Sequence, residues 1–285
     1  MPGTLYVVAT PIGNLGDLTP RAREVLASVA LIAAEDTRHT RQLLQTCGIG
    51  TALTSLHEHN EGPKSGKLVA RLAQGDSIAL VSDAGTPLVS DPGFDLVAAA
   101  RQQGIAVVAI PGACAAIAAL SVAGLPTHRF VFEGFLPAKA AARSARLQQL
   151  AREERTLIFY EAPHRLVEVL RDLTEIFGAQ RRASISRELT KRFETTYSGT
   201  LAELSAAAER DSDMARGELV IVVSGAPAAG GAALELDADA LLRALLQELS
   251  PSQAAKIAAH LTGGKRGELY EAALQIGRMA GPEKG

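Results

Sequence analysis

Residues 80–93 read LVSDAGTPLVSDPG. They begin inside an apolar run, Ser77–Val81 (SIALV), and continue into two acidic turns, Asp83-Ala84-Gly85-Thr86-Pro87 and Asp91-Pro92-Gly93. A short apolar run bounded by Gly, Pro and Asp is a buried strand. A plain connecting turn needs one such group. Two carboxylates, two glycines and two prolines directly after a strand describe a shaped loop at the strand's carboxyl end.

The neighbouring segments repeat the pattern. Leu5–Ala9 (LYVVA), Leu31–Ala34 (LIAA) and Ile105–Ile110 (IAVVAI) read as further strands. Between them, amphipathic runs read as helices: one opened by Thr19-Pro20, one around Thr40–Thr46, one over Gly66–Gln74 and one over Asp95–Gln103. Thr as N-cap and Pro at the first helical position are favoured helix starts. Strands alternating with helices predict a mostly parallel sheet. Ligands of such sheets sit outside the strand carboxyl ends. Four small-residue segments should therefore meet at one edge: Thr10–Leu15 (TPIGNL), Glu35–His39 (EDTRH), Asp83–Pro87 and Pro111–Cys114 (PGAC). Glycine allows close backbone approach and proline fixes loop shape.

A second α/β unit follows. Arg129–Phe135, Thr156–Tyr160, Ala183–Arg187 and Leu219–Val223 read as strands, with helices near Ala140–Arg152 and His164–Phe177. The expected division is residues 1–122 and 123–225, a flexible Ala/Gly/Pro linker over 226–236, and a helical tail over 237–285. Within the tail, Ser250-Pro251-Ser252-Gln253 is a capping box, and the Gly263-Gly264 break makes two short helices resembling a helix-turn-helix. A plain helical appendage fits the same pattern.

Composition narrows the class. The chain has 285 residues, 47% of them apolar, enough for about two packed domains. Its net charge is −2, so a nucleic-acid surface has to be local. Lys139–Arg192 holds twelve Lys/Arg against seven Asp/Glu, a local +5. Lys139, Arg143 and Arg146 recur there at helical spacing, as an RNA-facing stripe or as an ordinary solvated face. Two cysteines, Cys47 and Cys114, make neither a disulfide framework nor a zinc site and fit a reducing cytoplasm. No signal peptide or membrane-spanning run is read. His57 and His59 have no third metal ligand nearby. A P-loop fails because Leu68 follows Gly66-Lys67, and the first helix is not opened by GxGxxG.

Seven motifs occur in order: TPIGNL, AEDTRHT, LVSDAGTPLVSDPG, PGACAA, EGFLPAK, FYEAPHR and RELTK. Together they resemble the ribosomal RNA small subunit methyltransferase I family, within the tetrapyrrole-methylase-like (class III) S-adenosylmethionine enzymes. The likeness runs from about Leu5 to Ser224, and the tail is similar to that family's helical extension. It implies two α/β domains with the cofactor cleft between them. It also implies methylation of a cytidine ribose 2′-hydroxyl in the 16S rRNA decoding centre, no metal, and a cytoplasmic homodimer. By this resemblance Pro11, Gly13, Asn14, Asp83, Ala84, Gly85, Thr86, Pro87, Pro111, Gly112, Ala113, Cys114, Ala115 and Tyr160 are the expected cofactor contacts. Arg38, His39, Lys139, Arg143, His164 and Arg165 are the expected RNA contacts.

The chemistry suits such loops. S-adenosylmethionine is a sulfonium with an adenine, a ribose and a zwitterionic tail; small loops supply amides, carbonyls and a dry wall. Free N–H groups at Cys114-Ala115-Ala116 would meet its carboxylate. A ribose hydroxyl titrates far above neutral, so a base or a stabilising cation helps. Glu35, Asp36, His39, Glu161 and Lys191 are the candidates, with Asp36, Glu161 and Lys191 placed first. Asp36 with Arg38 reads equally as an ion pair or cap. Asp83 and Asp91 read equally as loop caps. The competing functions are a tetrapyrrole C-methyltransferase on the same fold, a ribosome-assembly module with a disused pocket, and a dinucleotide oxidoreductase.

Overall fold

A computed structural model of the chain describes residues 1–227 and 238–279. The first half runs β1 (Thr4–Val8), α1 (Pro20–Ser28), β2 (Leu31–Ala34), α2 (Thr37–Thr46), β3 (Leu53–Ser55), α3 (Glu61–Ala73), β4 (Ile78–Val81), α4 (Phe94–Gln102), β5 (Ala106–Ile110) and α5 (Ala115–Val122). Its five strands form an all-parallel sheet in the order β3-β2-β4-β1-β5. Every residue of β4 is buried. Ile78 and Leu80 face a core with Leu68 and Leu72 of α3 and Leu96 of α4, whereas Ala79 and Val81 face Leu26 of α1 and Leu44 of α2. Burial on both faces explains why the strand is apolar throughout rather than alternating.

The second half runs β6 (Phe130–Phe135), α6 (Ala140–Leu150), β7 (Thr156–Glu161), α7 (Leu166–Phe177), β8 (Arg182–Arg187), β9 (Thr195–Thr200), α8 (Leu201–Arg210) and β10 (Leu219–Val223). The strand order is β6-β7-β10-β8-β9, parallel only between β6 and β7. One face packs Phe159, Ile185 and Ile221 against Leu147, Leu173 and Leu204 of α6, α7 and α8. The other face, with Ile158, Val220 and Val222, receives Ala116, Ala119 and Leu120 of α5. Small side chains on α5 permit that close approach. The last helix of the first half is thus part of the second half's core, and residues 1–226 form one compact unit.

Residues from Pro227 onward form a second unit, with α9 (Ala238–Leu245), α10 (Pro251–Thr262) and α11 (Arg266–Met279) around Leu242, Ala254, Ala258, Leu269 and Ala273. Gln253 Oε1 accepts from both the N–H and the hydroxyl of Ser250, and Gly263 ends α10 at φ 70°. The expected linker 226–236 lies outside the described residues from 228 on.

Several elements differ from the sequence reading. α3 starts five residues early, at Glu61, because Pro63 falls in a first turn that needs no N–H partner. Glu61 is buried there and accepts from the backbone N–H of Asp95, supplying the N-terminal partner that Gly93 cannot give α4. Short β3 and polar β9 carry too little apolar pattern to read. α8 had a legible start, since Thr200 and Glu203 form a capping box.

The quoted stretch is held in an unusual backbone. Gly85, Leu88, Ser90 and Gly93 all have left-handed φ, 81°, 71°, 68° and 128°. At Gly93 a Cβ would stand 2.6 Å from Leu80 Cδ2. Replacing Gly93 by Ala is expected to lower stability by about 1–3 kcal/mol, read as a shift in urea midpoint at constant slope.

Candidate functional site

The loops leaving β1, β2, β4 and β5 are tied to one another. Thr10 and Gly85 exchange two backbone hydrogen bonds, Thr10 N–H to Gly85 O at 2.8 Å and Gly85 N–H to Thr10 O at 3.1 Å. Asp83 Oδ1 accepts from the Asp36 N–H at 3.0 Å. The Thr86 hydroxyl donates to Ala113 O at 3.0 Å. Across from them, Tyr160 Oη accepts from the Ala116 N–H at 3.2 Å, so one of the free amides at the start of α5 is already used.

A cavity of about 330 Å³ opens between the halves. The first half contributes Ile12, Ala84, Gly85, Thr86, Val89, Asp91, Cys114 and Ala115; the second contributes Phe135, Tyr160–Pro163, Leu189 and Glu218–Val220. Its size and its mostly apolar wall with a few polar groups suit a small cofactor. A smaller cavity of about 280 Å³ lies among Pro11, Gly13, Leu15, His39, Leu43 and Asp83.

The expected cofactor residues divide accordingly. Ala84, Gly85, Thr86, Cys114, Ala115 and Tyr160 line the larger cavity. Pro11, Gly13 and Asp83 line the smaller. Asn14, Pro87, Pro111, Gly112 and Ala113 line neither. Asn14 caps a 3-10 turn, and Gly112 lets its loop pass Ala9, where a Cβ would meet Ala9 Cβ at 2.9 Å.

The catalytic candidates stand in different settings. Both carboxylate oxygens of Asp36 are held by Arg38, and Asp36 is also the N-cap of α2. These hydrogen bonds hold its pKa well below the usual carboxylate range, which makes it a weak base. Lys191 Nζ lies 3.0 Å from Glu188 and 3.2 Å from Glu218, and its stem crosses Gly13. Burial lowers its pKa, but those two carboxylates outweigh it and hold Lys191 as a cation. Glu161 differs from both. It ends β7 on the cavity wall, only 3% exposed. One oxygen accepts from the Ala162 N–H at 2.7 Å, and Arg165 Nε stands 3.4 Å away. The other oxygen, Oε2, is buried with no hydrogen-bond partner. Burial raises this carboxyl's pKa.

The expected RNA set needs two corrections, Arg143 and Arg165. Arg143 is fully buried, its guanidinium between Glu168 and Asp172 at 2.5 Å each, so it cannot touch RNA. Arg146 on the same helix pairs with Glu133. The basic stripe over 139–146 does not exist, because a guanidinium at the middle position reaches inward to α7. Arg165 is also turned inward, donating to Leu136 O and Pro137 O. Arg38, His39, Lys139 and His164 are exposed.

Two family models match the chain: Tetrapyrrole (Corrin/Porphyrin) Methylases over residues 4–205, and RsmI C-terminal HTH domain over residues 232–277. The Pseudomonas aeruginosa protein named ribosomal RNA small subunit methyltransferase I is 56% identical over 96% of this chain and 97% of its own length. The protein of that name from Escherichia coli O157:H7 is 52% identical over 96% and 95%. The chain belongs to the ribosomal RNA small subunit methyltransferase I family. It is an S-adenosylmethionine-dependent methyltransferase. The same fold is found in a uroporphyrin-III-C-methyltransferase from Thermus thermophilus, 22% identical at TM-score 0.56 over 78% of this chain and 94% of that one. A diphthine synthase, 14% identical at TM-score 0.56, shares it over 78% and 89%.

Three cavity residues that the sequence does not single out, Glu218, Leu219 and Val220, share one cause. The strand-end rule locates a site at the carboxyl ends of parallel strands. β10 runs antiparallel to β7, with Leu219 opposite Glu161, so the start of β10 reaches the cavity rather than its end. Glu218, Leu219 and Val220 carry no turn signal and were invisible. Leu189 lay inside a quoted motif, RELTK, and its neighbours Glu188 and Thr190 have left-handed φ of 50° and 66°. Strained backbone thus flanks the cavity on both sides. Among the described residues no cluster of three or more His, Cys, Asp or Glu is placed to hold a metal, and no helix is long and apolar enough to cross a membrane.

The charge of the site fits a cationic donor. Burial, then the charges of Asp91 and Asp83, raise the pKa of Glu35; burial, outweighing a hydrogen bond from Ser82 and helped by the Asp83 charge, raises that of Asp91. A sulfonium near these carboxylates relieves their repulsion; the neutral thioether of S-adenosylhomocysteine does not. Raised pKa values mean that protonation starts at higher pH than for ordinary carboxylates. Lowering pH from 7 to 5 should therefore weaken S-adenosylmethionine binding more than S-adenosylhomocysteine binding, measured by calorimetry with both ligands. Equal losses would show that the cluster does not face the sulfonium.

Proposed function

We propose that this methyltransferase transfers a methyl group to the ribose 2′-hydroxyl of a cytidine in the 16S rRNA decoding centre, acting on the small ribosomal subunit. The observation that carries the reading is near-full-length identity above 50% to proteins named for small-subunit ribosomal RNA. The cofactor, when bound, supplies a methyl group already activated by a sulfonium, so catalysis is mainly in-line positioning and removal of one proton.

The loops bound to one another through Thr10, Gly85, Thr86 and Ala113 form the donor wall, and Tyr160 fixes the start of α5 opposite them. Glu161 is the proposed base. Glu161 stands on the cavity wall with its Oε2 buried and unpartnered, and its raised pKa matches it better to a hydroxyl than Asp36, whose oxygens Arg38 occupies. With the cofactor bound, Glu161 would take the hydroxyl proton, and later pass it to solvent, as the oxygen gained the methyl group and the carbon–sulfur bond broke with its electron pair left on sulfur. Lys191 supplies positive charge at the same edge, and Asp36 orders α2. Arg38, His39, Lys139 and His164, exposed around the site, are the proposed phosphate contacts. With aromatic residues only 4% of the chain, a folded subunit suits the protein better than a free single strand. Cytoplasmic placement and a homodimer belong to the same reading. Exposed Ile117 and Val122 on α5 give a dimer apolar surface to bury.

The test is incubation with methyl-labelled S-adenosylmethionine and unmodified small subunits, with naked 16S rRNA alongside, mapping the label by primer extension. One labelled decoding-centre cytidine in the assembled subunit supports the reading. No label in either RNA, with cofactor binding intact, sinks it and points to a small-molecule acceptor such as a tetrapyrrole. Glu161→Ala should slow single-turnover transfer by about 10²–10⁴-fold with little change in cofactor affinity, and Asp36→Ala should slow it less. Full rates in both variants would remove the base assignment.

A further inference from the structure

β6 ends on an exposed aromatic side chain that neither the donor wall nor the base requires. Phe135 lines the cavity yet is 57% exposed. A β-bulge puts it there. The β6–β7 register shifts between Phe132 and Gly134, and Gly134 has φ 66°. In a regular strand residues three apart face opposite sides. The bulge lets both Phe132 and Phe135 meet Tyr160 edge-on, with ring centroids 4.9 and 5.6 Å from it. Phe132 is half-buried; Phe135 gives Tyr160 one contact and leaves much of its surface to solvent.

The segment following Phe135 is braced. Arg165 donates to Leu136 O at 2.9 Å and to Pro137 O at 3.1 Å, and buried Arg143 reaches Ala138 O at 3.4 Å. Arg143 is held in turn by Glu168 and Asp172. Two guanidiniums fixed against backbone carbonyls hold a loop of three residues, Leu136–Ala138, flanked by exposed Phe135 and exposed Lys139. An exposed aromatic ring on the cavity wall, with an exposed cation four residues on in a braced loop, offers what an unpaired nucleotide needs: a face for its base and a charge for its phosphate.

We propose that Phe135 is a stacking platform for a nucleobase of the acceptor RNA at the cavity mouth, with Lys139 contacting its phosphate and Arg143 and Arg165 acting as positioning residues for that loop. This rests on the rRNA reading above. The ring orders the acceptor strand; it takes no part in proton or methyl transfer.

The chain has no tryptophan, so Phe135→Trp creates a single fluorescent reporter at the proposed contact. Saturating S-adenosylhomocysteine should leave its emission nearly unchanged, and unmodified small subunits should then quench it. In single-turnover methylation, Phe135→Ala and Phe135→Leu should each raise the half-saturating subunit concentration roughly tenfold or more. Phe135→Trp should stay near wild type. Cofactor affinity, melting temperature and solution mass should be unchanged in all three. Quenching by S-adenosylhomocysteine alone, with cofactor affinity lost in Phe135→Ala, would make the ring a donor contact and overturn the proposal. A Leu variant as good as wild type would overturn stacking, and a changed solution mass would make the ring a subunit contact. Active wild type with an indifferent Phe135→Ala defeats this inference alone; wild type inactive on subunits defeats the rRNA reading and this inference together.

Discussion

The exchange of backbone hydrogen bonds between Thr10 and Gly85 is the constraint from which the site follows. β1 and β4 are parallel neighbours, and their exit loops turn back to pair with each other. That pairing brings Ile12, Ala84 and Thr86 to one wall. Thr86 then fixes Ala113 at the entry to α5, and Asp83 fixes the entry to α2 through Asp36. Two neutral backbone bonds contribute about 0.5–1.5 kcal/mol each. Left-handed non-glycine residues cost about 1–3 kcal/mol each, and the walls hold four: Leu88, Ser90, Glu188 and Thr190. The bonds alone do not offset that strain. Burial of Pro87, and of Leu189 against α5, helps to hold the conformation.

Most of the first half was legible in the sequence. β4 announced itself as an apolar run ended by glycine and aspartate, and Thr19-Pro20 marked α1 through local chemistry that the fold did not override. The cavity's first-half wall followed from the rule for parallel sheets. On the second wall Tyr160 and Glu161 were legible at the end of β7, but the β10 side was not, for the same reason. A mixed sheet delivers the start of β10 to the site, and nothing in Glu218-Leu219-Val220 distinguishes that strand start from any other. Phe135 was hidden by a bulge, since strand alternation cannot reveal that one residue has been inserted.

Arginine shows the limit of reading charge from sequence. Lys139, Arg143 and Arg146 have the spacing of one helix face, but a long side chain is not bound to the surface its Cα suggests. Arg143 runs into the interior because Glu168 and Asp172 of α7 meet it there. The charge excess in this half is real, yet part of it braces the loop between Phe135 and Lys139. What remains exposed is a smaller set: Arg38, His39, Lys139 and His164. The acidic side of the same site, Glu35, Asp83, Asp91 and Glu161, opposes it. An enzyme that joins a cationic donor to a polyanionic acceptor has use for both signs close together.

The central claim is that the methyl donor occupies the cavity between the two halves. The most direct measurement is a crystal structure of the full chain with S-adenosylhomocysteine. The account predicts the ligand against Thr86, Cys114, Tyr160 and Val220, with the Glu161 carboxylate beside it on the cavity wall. Ligand density in the smaller cavity beside His39 and Leu43, with the larger one empty, would contradict it.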